Sequence, residues 1–205
     1  MFLKIVLIVL IAYFIGNFSP SFILGKMLEK KDIRKFGSGN AGSTNAIRVF
    51  GLKIGIITFL CDILKGILAV IIGGIIGKSI GLFFIGQYIA AFFVIIGHNW
   101  PILLKFKGGK GIASTLGVYL FLDPMVAGIA FLISIGIIIK TRYVSLASLV
   151  GSFLIFIMTL ILRWENKPFV LLTFLLALLA FYRHRANIKR LLNGTESKFG
   201  EKAKW

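Results

Sequence analysis

The sequence predicts an all-α integral membrane protein with seven transmembrane helices, two of them short. Of its 205 residues, 58% are hydrophobic, a larger share than in soluble domains, and the mean hydropathy is +0.96. Charged residues make up only 15% of the chain and lie between long apolar runs. Because these runs leave room only for loops and a tail, we expect residues 1–205 to form a single membrane domain.

Five apolar runs approach the ~20 residues that a helix needs to cross the hydrocarbon: 3–25, 54–77, 80–98, 145–162 and 168–182. The first is too long for a signal peptide and is expected to be a retained span. Asp123-Pro124 divides a further apolar stretch into two short helices, 112–122 and 125–139, because proline ends a helix. The alternative for that stretch is a re-entrant hairpin beside five full spans.

The distribution of basic residues predicts the orientation. Of the 24 Lys and Arg residues, 19 fall in the loops 26–53, 99–111 and 140–144 and in the tail after 182, whereas four fall on the opposite side. Since cytoplasmic loops carry the excess of Lys and Arg, the N-terminus is predicted to lie outside and the C-terminus in the cytoplasm. The net charge of +17 thus indicates anionic membrane lipid as a partner and no nucleic acid.

The first candidate site is a loop of glycine and small polar residues at positions 37–45, followed by Arg48. Such a loop can direct backbone N–H groups at an anion, and the Arg fork suits phosphate. The alternative is a flexible turn, in which the same residue types are common. Ser38 is a candidate catalytic residue of the loop, and its candidate substrate-binding residues are Gly37, Gly39, Asn40, Gly42, Thr44 and Asn45.

A second cationic loop, Lys107-Gly108-Gly109-Lys110-Gly111, lies between apolar helices. It is not a Walker A loop, which needs a preceding strand and a different spacing. Backbone donors and lysine around an anion are nevertheless the same physical arrangement. The alternative is a loop that only anchors lipid headgroups. With the first loop beside it, the pattern favours binding of phosphorylated molecules at the membrane surface.

Ionisable residues elsewhere have less specific patterns. Asp62 and Lys65 are three residues apart inside an apolar run, and we interpret them as a structural ion pair that braces the loops. Ser145 and Ser148 begin a helix, which they either cap or equip to donate to phosphate. A single cysteine and two histidines far apart in sequence give no metal site, and no cofactor is expected.

Four motifs together indicate a family. They are Gly37-Ser38-Gly39-Asn40-x-Gly42-x-Thr44-Asn45-x-x-Arg48-x-x-Gly51, then Gly97-His98-x-x-Pro101 with Phe106-Lys107-Gly108-Gly109-Lys110-Gly111, then Thr141-Arg142-Tyr143-Val144-Ser145-Leu146-Ala147-Ser148, and finally His184-Arg185-x-Asn187-Ile188-x-Arg190-Leu191-Leu192-x-Gly194-x-Glu196. With them the chain resembles the bacterial acyl-phosphate:glycerol-3-phosphate acyltransferases, the PlsY family. Leu103 departs from the aromatic residue that is frequent there.

The resemblance implies a reaction and a location. An acyl phosphate would give its fatty acyl group to the 1-hydroxyl of sn-glycerol 3-phosphate, yielding lysophosphatidic acid and inorganic phosphate, the first committed step of phospholipid biosynthesis. Family members are seven-helix bundles, in agreement with the span count. The bacterial inner membrane, with the site on its cytoplasmic side, is the implied location. The enzyme that produces the acyl phosphate is a further candidate partner.

The resemblance also suggests roles. The loop at 37–45 would cradle the donor phosphate, and Lys110 would neutralise charge beside one phosphate. The residues assigned to glycerol 3-phosphate are Thr44, Arg48, Lys107 and Ser145, and those that close the site are His184, Asn187 and Glu196. Because no protein base stands out, the leaving phosphate of the donor is expected to take the hydroxyl proton. His184 is the rival base.

Two other classes of protein fit part of the pattern. A transporter of a phosphorylated metabolite would use short, interrupted helices at the middle of the membrane, but the glycine loops are predicted at the cytoplasmic helix ends. A lipid-binding scaffold would not need so many Ser, Thr and Asn residues beside glycine. The sequence therefore favours an acyltransferase.

Overall fold

The computed structural model describes residues 1–201, which fold into ten α-helices without a strand. The helices are α1 Phe2–Asn17, α2 Pro20–Leu28, α3 Ser43–Phe50, α4 Leu52–Lys78, α5 Phe83–Asn99, α6 Ile112–Leu122, α7 Pro124–Thr141, α8 Val144–Leu162, α9 Lys167–Arg183 and α10 Arg185–Leu192. The all-α prediction is thus confirmed for these residues. Lys202 and Lys204, counted for the orientation, lie outside them.

The lengths of the apolar helices confirm a multi-pass membrane protein. By length and composition, five segments can cross a membrane: Phe2–Leu28, Leu52–Lys78, Phe83–Leu104, Pro124–Thr141 and Val144–Leu162. α9 satisfies the same requirement only together with α10, from which a bend of 60° separates it, and α6 is a shorter apolar helix. The number of crossings predicted from sequence, seven, stays a prediction.

The predicted short helix 125–139 is wrong in its bounds, because α7 has 18 residues and is long enough to span. Pro124 occupies its first position, where a missing N–H removes no helical hydrogen bond. The Asp123 side chain caps this end by accepting the Val126 N–H at 3.2 Å. The other end continues to Thr141, until Arg142 takes a left-handed φ of 63°.

Two other predicted spans also have different ends. The run 3–25 is interrupted after α1 by Phe18 and Ser19, both in extended conformation, and Pro20 then starts α2. The run 80–98 becomes helical only at Phe83, because Gly81, at φ +72°, lies in the turn that ends α4. Both apolar runs still form helices, α1 and α2 in the first run and α5 in the second.

The described chain divides into two compact units, Met1–Phe121 and Leu122–Glu201. In the first unit, α4 packs against α5, and α1 packs against both. Glycines allow this close approach: a Cβ on Gly73 would lie 2.5 Å from the Gly86 carbonyl oxygen, and one on Gly97 would lie 2.1 Å from that of Tyr13. Small residues at such crossings are typical of membrane helices. The predicted single domain is left as a prediction.

In the second unit, α8 packs between α7 and α9, and α10 contacts both α8 and α9. Ser134 of α7 donates to the Ala147 carbonyl of α8 at 3.2 Å. At the opposite end of the same helices, Arg163 Nε donates to Asp123 Oδ2 at 2.8 Å. The contact of Ser134 lies near the start of α8, which carries Ser145.

Candidate functional site

Asn45 organises the first glycine loop from within. Its side chain is 2% exposed. Oδ1 accepts the Ser38 N–H at 2.9 Å, and Nδ2 donates to the carbonyls of Phe36 and Asn40, each at 3.1 Å. Both ends of the amide are therefore engaged by the backbone of the loop. These contacts indicate that Asn45 shapes the loop, and its predicted contact with substrate stays a prediction.

Two glycines give the loop its path. Gly37 and Gly39 have φ values of +58° and +70°, a region that favours glycine. The Gly39 N–H donates to the Phe36 carbonyl at 3.0 Å, and the Ser38 N–H is taken by Asn45. Two N–H groups of the predicted cradle thus already have acceptors within the loop.

The positive charge beside the first glycine loop lies in α3, at the helix N-terminus and at Arg48. Gly42 is its N-cap, and no side chain caps its first turn, where helical N–H groups lack intrahelical partners. Thr44 lies in that turn and Arg48 one turn later, both half-buried. No residue of 1–201 forms a hydrogen bond or ion pair with the Arg48 side chain. The guanidinium of Arg48 and the partial positive charge of the helix N-terminus therefore lie on the same short helix, α3.

The second glycine loop turns back over the end of α5. The Gly109 N–H donates to the His98 carbonyl at 3.0 Å, and Gly111 has φ +81°. Gly108, Gly109 and Gly111 are buried. Lys107 is exposed, and within the described residues its ammonium has no partner. Lys110 is half-buried and has contacts of its own.

Asp62 and Lys65 form the ion pair that their spacing predicts. Lys65 Nζ lies 2.7 Å from Asp62 Oδ1, and both side chains are almost fully buried. The same ammonium lies 2.7 Å from His98 Nδ1 and donates to the Phe18 carbonyl at 2.8 Å. The pair therefore joins α4 to the end of α5 and to the break after α1. Its role as a purely structural pair stays a prediction.

Arg34 connects the segments that lead into the two loops. Its guanidinium donates to both carboxylate oxygens of Asp32, at 3.0 and 2.7 Å, and to the Leu104 carbonyl at 2.7 Å. Hydrogen bonds from Arg34 lower the pKa of Asp32 despite its partial burial. With its charge already matched and its donors in use, Arg34 does not resemble a phosphate ligand.

Replacing Arg34 by methionine is expected to lower the melting temperature by about 3–12 °C. Charge-assisted hydrogen bonds contribute ~1.5–3 kcal/mol, and 1 kcal/mol shifts a chain of this size by about 2–4 °C. Thermal unfolding in detergent measures the change. Lys35→Met, at an exposed neighbouring position, is the control; equal shifts in the two variants would show that the contact with Leu104 contributes nothing.

Glu196 is the centre of a polar cluster in the second unit. Its Oε1 accepts from Ser145 Oγ at 2.8 Å and from Asn187 Nδ2 at 2.6 Å, and its Oε2 accepts from Arg190 Nε at 2.7 Å. The carboxylate thus holds the start of α8, the middle of α10 and the tail together. Its own contact with an anionic substrate, as the sequence suggests, stays a prediction, whereas its position indicates that it orients Ser145 and Asn187.

The hydrogen bonds decide the charge state of Glu196. Burial raises the pKa of this carboxyl, but the donors Asn187, Ser145 and Arg190 outweigh burial and lower the pKa below its usual range. A carboxylate whose pKa is lower in the folded than in the unfolded chain stabilises the fold above the ordinary Glu pKa of about 4.3. This stabilisation is lost as the pH falls through the lower, folded pKa.

Glu196→Gln is therefore expected to weaken the pH dependence of stability. Wild type should lose melting temperature as the pH falls from about 5 to 3, whereas the variant starts lower and loses less over this range. Thermal unfolding across the pH series measures both effects. Glu165→Gln removes an equal but exposed charge and should keep the wild-type slope; if Glu196→Gln keeps it too, the cluster does not hold a stabilising carboxylate.

His184 and Ser148 lie near this cluster in sequence but make other contacts. His184 is 3% exposed, and its Nδ1 lies 2.8 Å from the Ala180 carbonyl, to which it donates. In the neutral ring Nε2 is then the acceptor nitrogen. The Ser148 hydroxyl donates to the Val144 carbonyl at 2.8 Å, within its own helix. Roles in binding or catalysis for both residues stay predictions.

The glycerol-3-phosphate acyltransferase family profile matches residues 6–194. The chain belongs to this family. It is 46% identical to the glycerol-3-phosphate acyltransferase of Thermoanaerobacter pseudethanolicus and 43% identical to that of Clostridioides difficile, over 96% of this chain and 96% of each relative. The family predicted from the four motifs is thus confirmed.

Solved structures extend the similarity to the fold of the family. The glycerol 3-phosphate form of PlsY, an integral membrane glycerol 3-phosphate acyltransferase, matches with a TM-score of 0.87 at 36% identity, over 96% of both chains. Its lysophosphatidic acid form matches with a TM-score of 0.84 at 35% identity, over 96% of this chain and 95% of the other. The prediction of an acyltransferase is confirmed, and the transporter alternative finds no support.

The structure adds residues that the sequence interpretation of this acyltransferase missed. Arg34 and Asp32 were visible only as loop charges, although an Asp two residues before an Arg is a possible signal of internal pairing. Arg190, on the outer side of Glu196, was not singled out as a site residue. His98, which was not singled out as a site residue, contacts Lys65. The contacts of Arg34 with Leu104 and of Lys65 with His98 do not follow from local sequence, because their partners lie in different elements.

Proposed function

We propose that the chain transfers a fatty acyl group from an acyl phosphate to the 1-hydroxyl of sn-glycerol 3-phosphate. The products are 1-acyl-glycerol 3-phosphate and inorganic phosphate. The observation that carries this proposal is a pair of cations without a partner among residues 1–201, Arg48 in α3 beside the first glycine loop and Lys107 in the second, in a glycerol-3-phosphate acyltransferase. Solved relatives with glycerol 3-phosphate and lysophosphatidic acid support the acceptor and the product.

The chemistry asks little of the protein beyond binding and alignment. The hydroxyl oxygen attacks the acyl carbon, the bond from that carbon to the phosphate oxygen breaks, and the leaving phosphate takes the hydroxyl proton. Because the acyl phosphate is already activated, no acyl-enzyme is needed. Holding the two reactants in line can contribute ~7–11 kcal/mol. Two phosphates repel each other, so cations and backbone donors near them stabilise both the bound state and the developing charge.

Individual residues have proposed roles in this reaction. Thr44 and Arg48, with the first-turn N–H groups of α3, bind one phosphate, and Lys107 and Lys110 neutralise the other. Ser145 and Asn187 bind hydroxyl groups of glycerol 3-phosphate, and Glu196 holds both in place. The acyl chain lies among apolar helices and needs no polar contact.

The test is synthesis by the purified protein. Acyl phosphate and glycerol 3-phosphate are supplied together, and both phosphate release and lysophosphatidic acid are measured. Equal amounts of the two products support the proposal. Phosphate release without the lipid would indicate a hydrolase, and neither product combined with uptake of a phosphorylated metabolite into proteoliposomes would indicate a transporter.

We further propose seven crossings of the bacterial inner membrane, with the N-terminus outside and both glycine loops on the cytoplasmic side. The excess of Lys and Arg in loops 26–53 and 99–111 supports this orientation.

The orientation is tested by labelling single cysteines that replace Lys35, Lys78 or Met125 in a Cys61→Ala background, using an impermeant thiol reagent on intact cells. Labelling at Lys78 and Met125 only is expected; no labelling at Met125 would favour a re-entrant hairpin, and labelling at Lys35 would reverse the orientation.

A further inference from the structure

Lys65 is held by a complete set of hydrogen-bond acceptors inside the first unit. Its side chain is 4% exposed, and Nζ forms an ion pair with Asp62 Oδ1 at 2.7 Å. Three hydrogen-bond acceptors surround the same ammonium: His98 Nδ1 at 2.7 Å, the Phe18 carbonyl at 2.8 Å and the Gly16 carbonyl at 3.4 Å. An ammonium group has three N–H donors and no acceptor. These contacts can use all three donors, which fixes the position of the charged group.

The contact with Lys65 also fixes the ring of His98. Because an ammonium can only donate, the 2.7 Å contact assigns Nδ1 of His98 as acceptor and places the proton of the neutral ring on Nε2, although Asp62 Oδ1 lies 3.5 Å from the same Nδ1. His98 is 6% exposed, so solvent offers little competition for this contact. Both the tautomer and the orientation of the imidazole are thus set by a residue of another helix.

The second glycine loop rests directly on this imidazole. A Cβ on Gly109 would lie 1.9 Å from His98 Nε2, and one on Gly108 would lie 2.1 Å from the His98 carbonyl oxygen. The Gly109 N–H donates to the same carbonyl at 3.0 Å. The loop therefore approaches as closely as glycine allows, and a displacement of the ring would displace the backbone between Lys107 and Lys110.

A stabilising role alone does not account for three buried ionisable groups. Replacing a buried ion pair by apolar residues of similar size is often neutral or stabilising, whereas loss of one partner is costly. Unlike apolar packing, such a cluster fixes the orientation of each polar group. Here Asp62 orients Lys65, and Lys65 orients the His98 ring. That ring contacts the loop that carries Lys107.

We propose that Lys65 is a positioning residue for the acyl transfer, acting through the His98 ring to hold the glycine loop Lys107–Gly111 in its phosphate-binding position. This inference rests on the proposed function, because the loop needs a defined shape only if it binds a phosphorylated substrate. Asp62 anchors Lys65, and Lys65 contacts the His98 ring against which the loop packs. Disturbing it should therefore weaken substrate binding more than turnover.

The test compares KM and kcat in variants that leave no lone buried charge. Asp62→Asn combined with Lys65→Met removes both charges, and His98→Phe keeps an aromatic ring but removes the acceptor for Lys65. Each is expected to raise KM for at least one of the two phosphorylated substrates by about tenfold, with kcat changed by less than threefold. Thr58→Val is the matched control, because its buried hydroxyl lies one turn before Asp62 on α4 and has no partner among the described residues; it should leave both constants unchanged.

The outcomes separate the inference from the proposed function. Wild-type protein that makes no lysophosphatidic acid overturns both. Active wild type whose variants keep the wild-type KM values, and lose only melting temperature, overturns the positioning role and leaves a structural cluster. If the double variant does not fold, His98→Phe decides by the same two constants, since it leaves the Asp62–Lys65 pair intact.

Discussion

Replacing Arg48 by glutamine is expected to lower kcat/KM for the acylation of glycerol 3-phosphate by about 10²–10³-fold, the loss seen when a donor that stabilises developing charge is removed. Arg48 is half-buried and no residue of 1–201 neutralises it, so its charge is available to a phosphate. Adding Lys107→Gln should reduce synthesis below detection. Phosphate release and lipid product, measured over a range of both substrates, give the size of each loss.

Lys53→Gln is the matched control for Arg48, since Lys53 lies five residues further along and is exposed. It removes one positive charge from the same segment and is expected to keep nearly full activity, because exposed charges are screened by solvent and salt. Wild-type ester synthesis by the Arg48→Gln/Lys107→Gln protein would eliminate the proposed phosphate site.

His184→Ala is expected to lose about 10–100-fold in kcat/KM if the donor phosphate accepts the proton. A lost hydrogen bond to a bound group accounts for a change of this size. Removal of a general base is larger, ~10²–10⁴-fold, and falls on turnover. A fall in kcat of about 10⁴-fold at unchanged KM would therefore assign the proton transfer to His184. Steady-state kinetics with both substrates distinguishes these results.

The pH dependence of activity is a second test of whether His184 is the general base. If His184 is the base, the wild-type profile has an acidic limb that disappears in the alanine variant. If the donor phosphate is the base, the two profiles have the same shape and differ only in height. Arg185→Ala is the control, because Arg185 is exposed and contacts the Tyr182 ring and carbonyl; it should change neither height nor shape.

The helices were largely predictable because the signal for a membrane span is local. About 20 apolar residues in sequence suffice for the assignment, and every predicted run contains a helix in the structure. Helix ends were less predictable. Pro124 was interpreted as a stop although it begins α7, since the same residue is tolerated at a first position and disruptive in an interior one.

The site was predictable in composition but not in detail. Glycine, lysine and arginine single out the two loops as candidates, yet Arg34 and Arg48 look alike in sequence. Only the structure shows that Arg34 is matched by Asp32 and used on Leu104, whereas Arg48 has no partner within residues 1–201. Likewise, the N–H groups of Ser38 and Gly39 are engaged by acceptors whose proximity depends on the folded loop.

Asn45 has an electrostatic effect beyond rigidity. Its Nδ2 collects the backbone oxygens of Ile33, Phe36 and Asn40 at 3.1–3.4 Å, so the negative ends of three peptide dipoles are directed at a buried amide instead of at the loop surface. An approaching oxyanion consequently meets less repulsion from the main chain. One neutral side chain thereby makes the electrostatic potential at the loop surface less negative without contributing any charge.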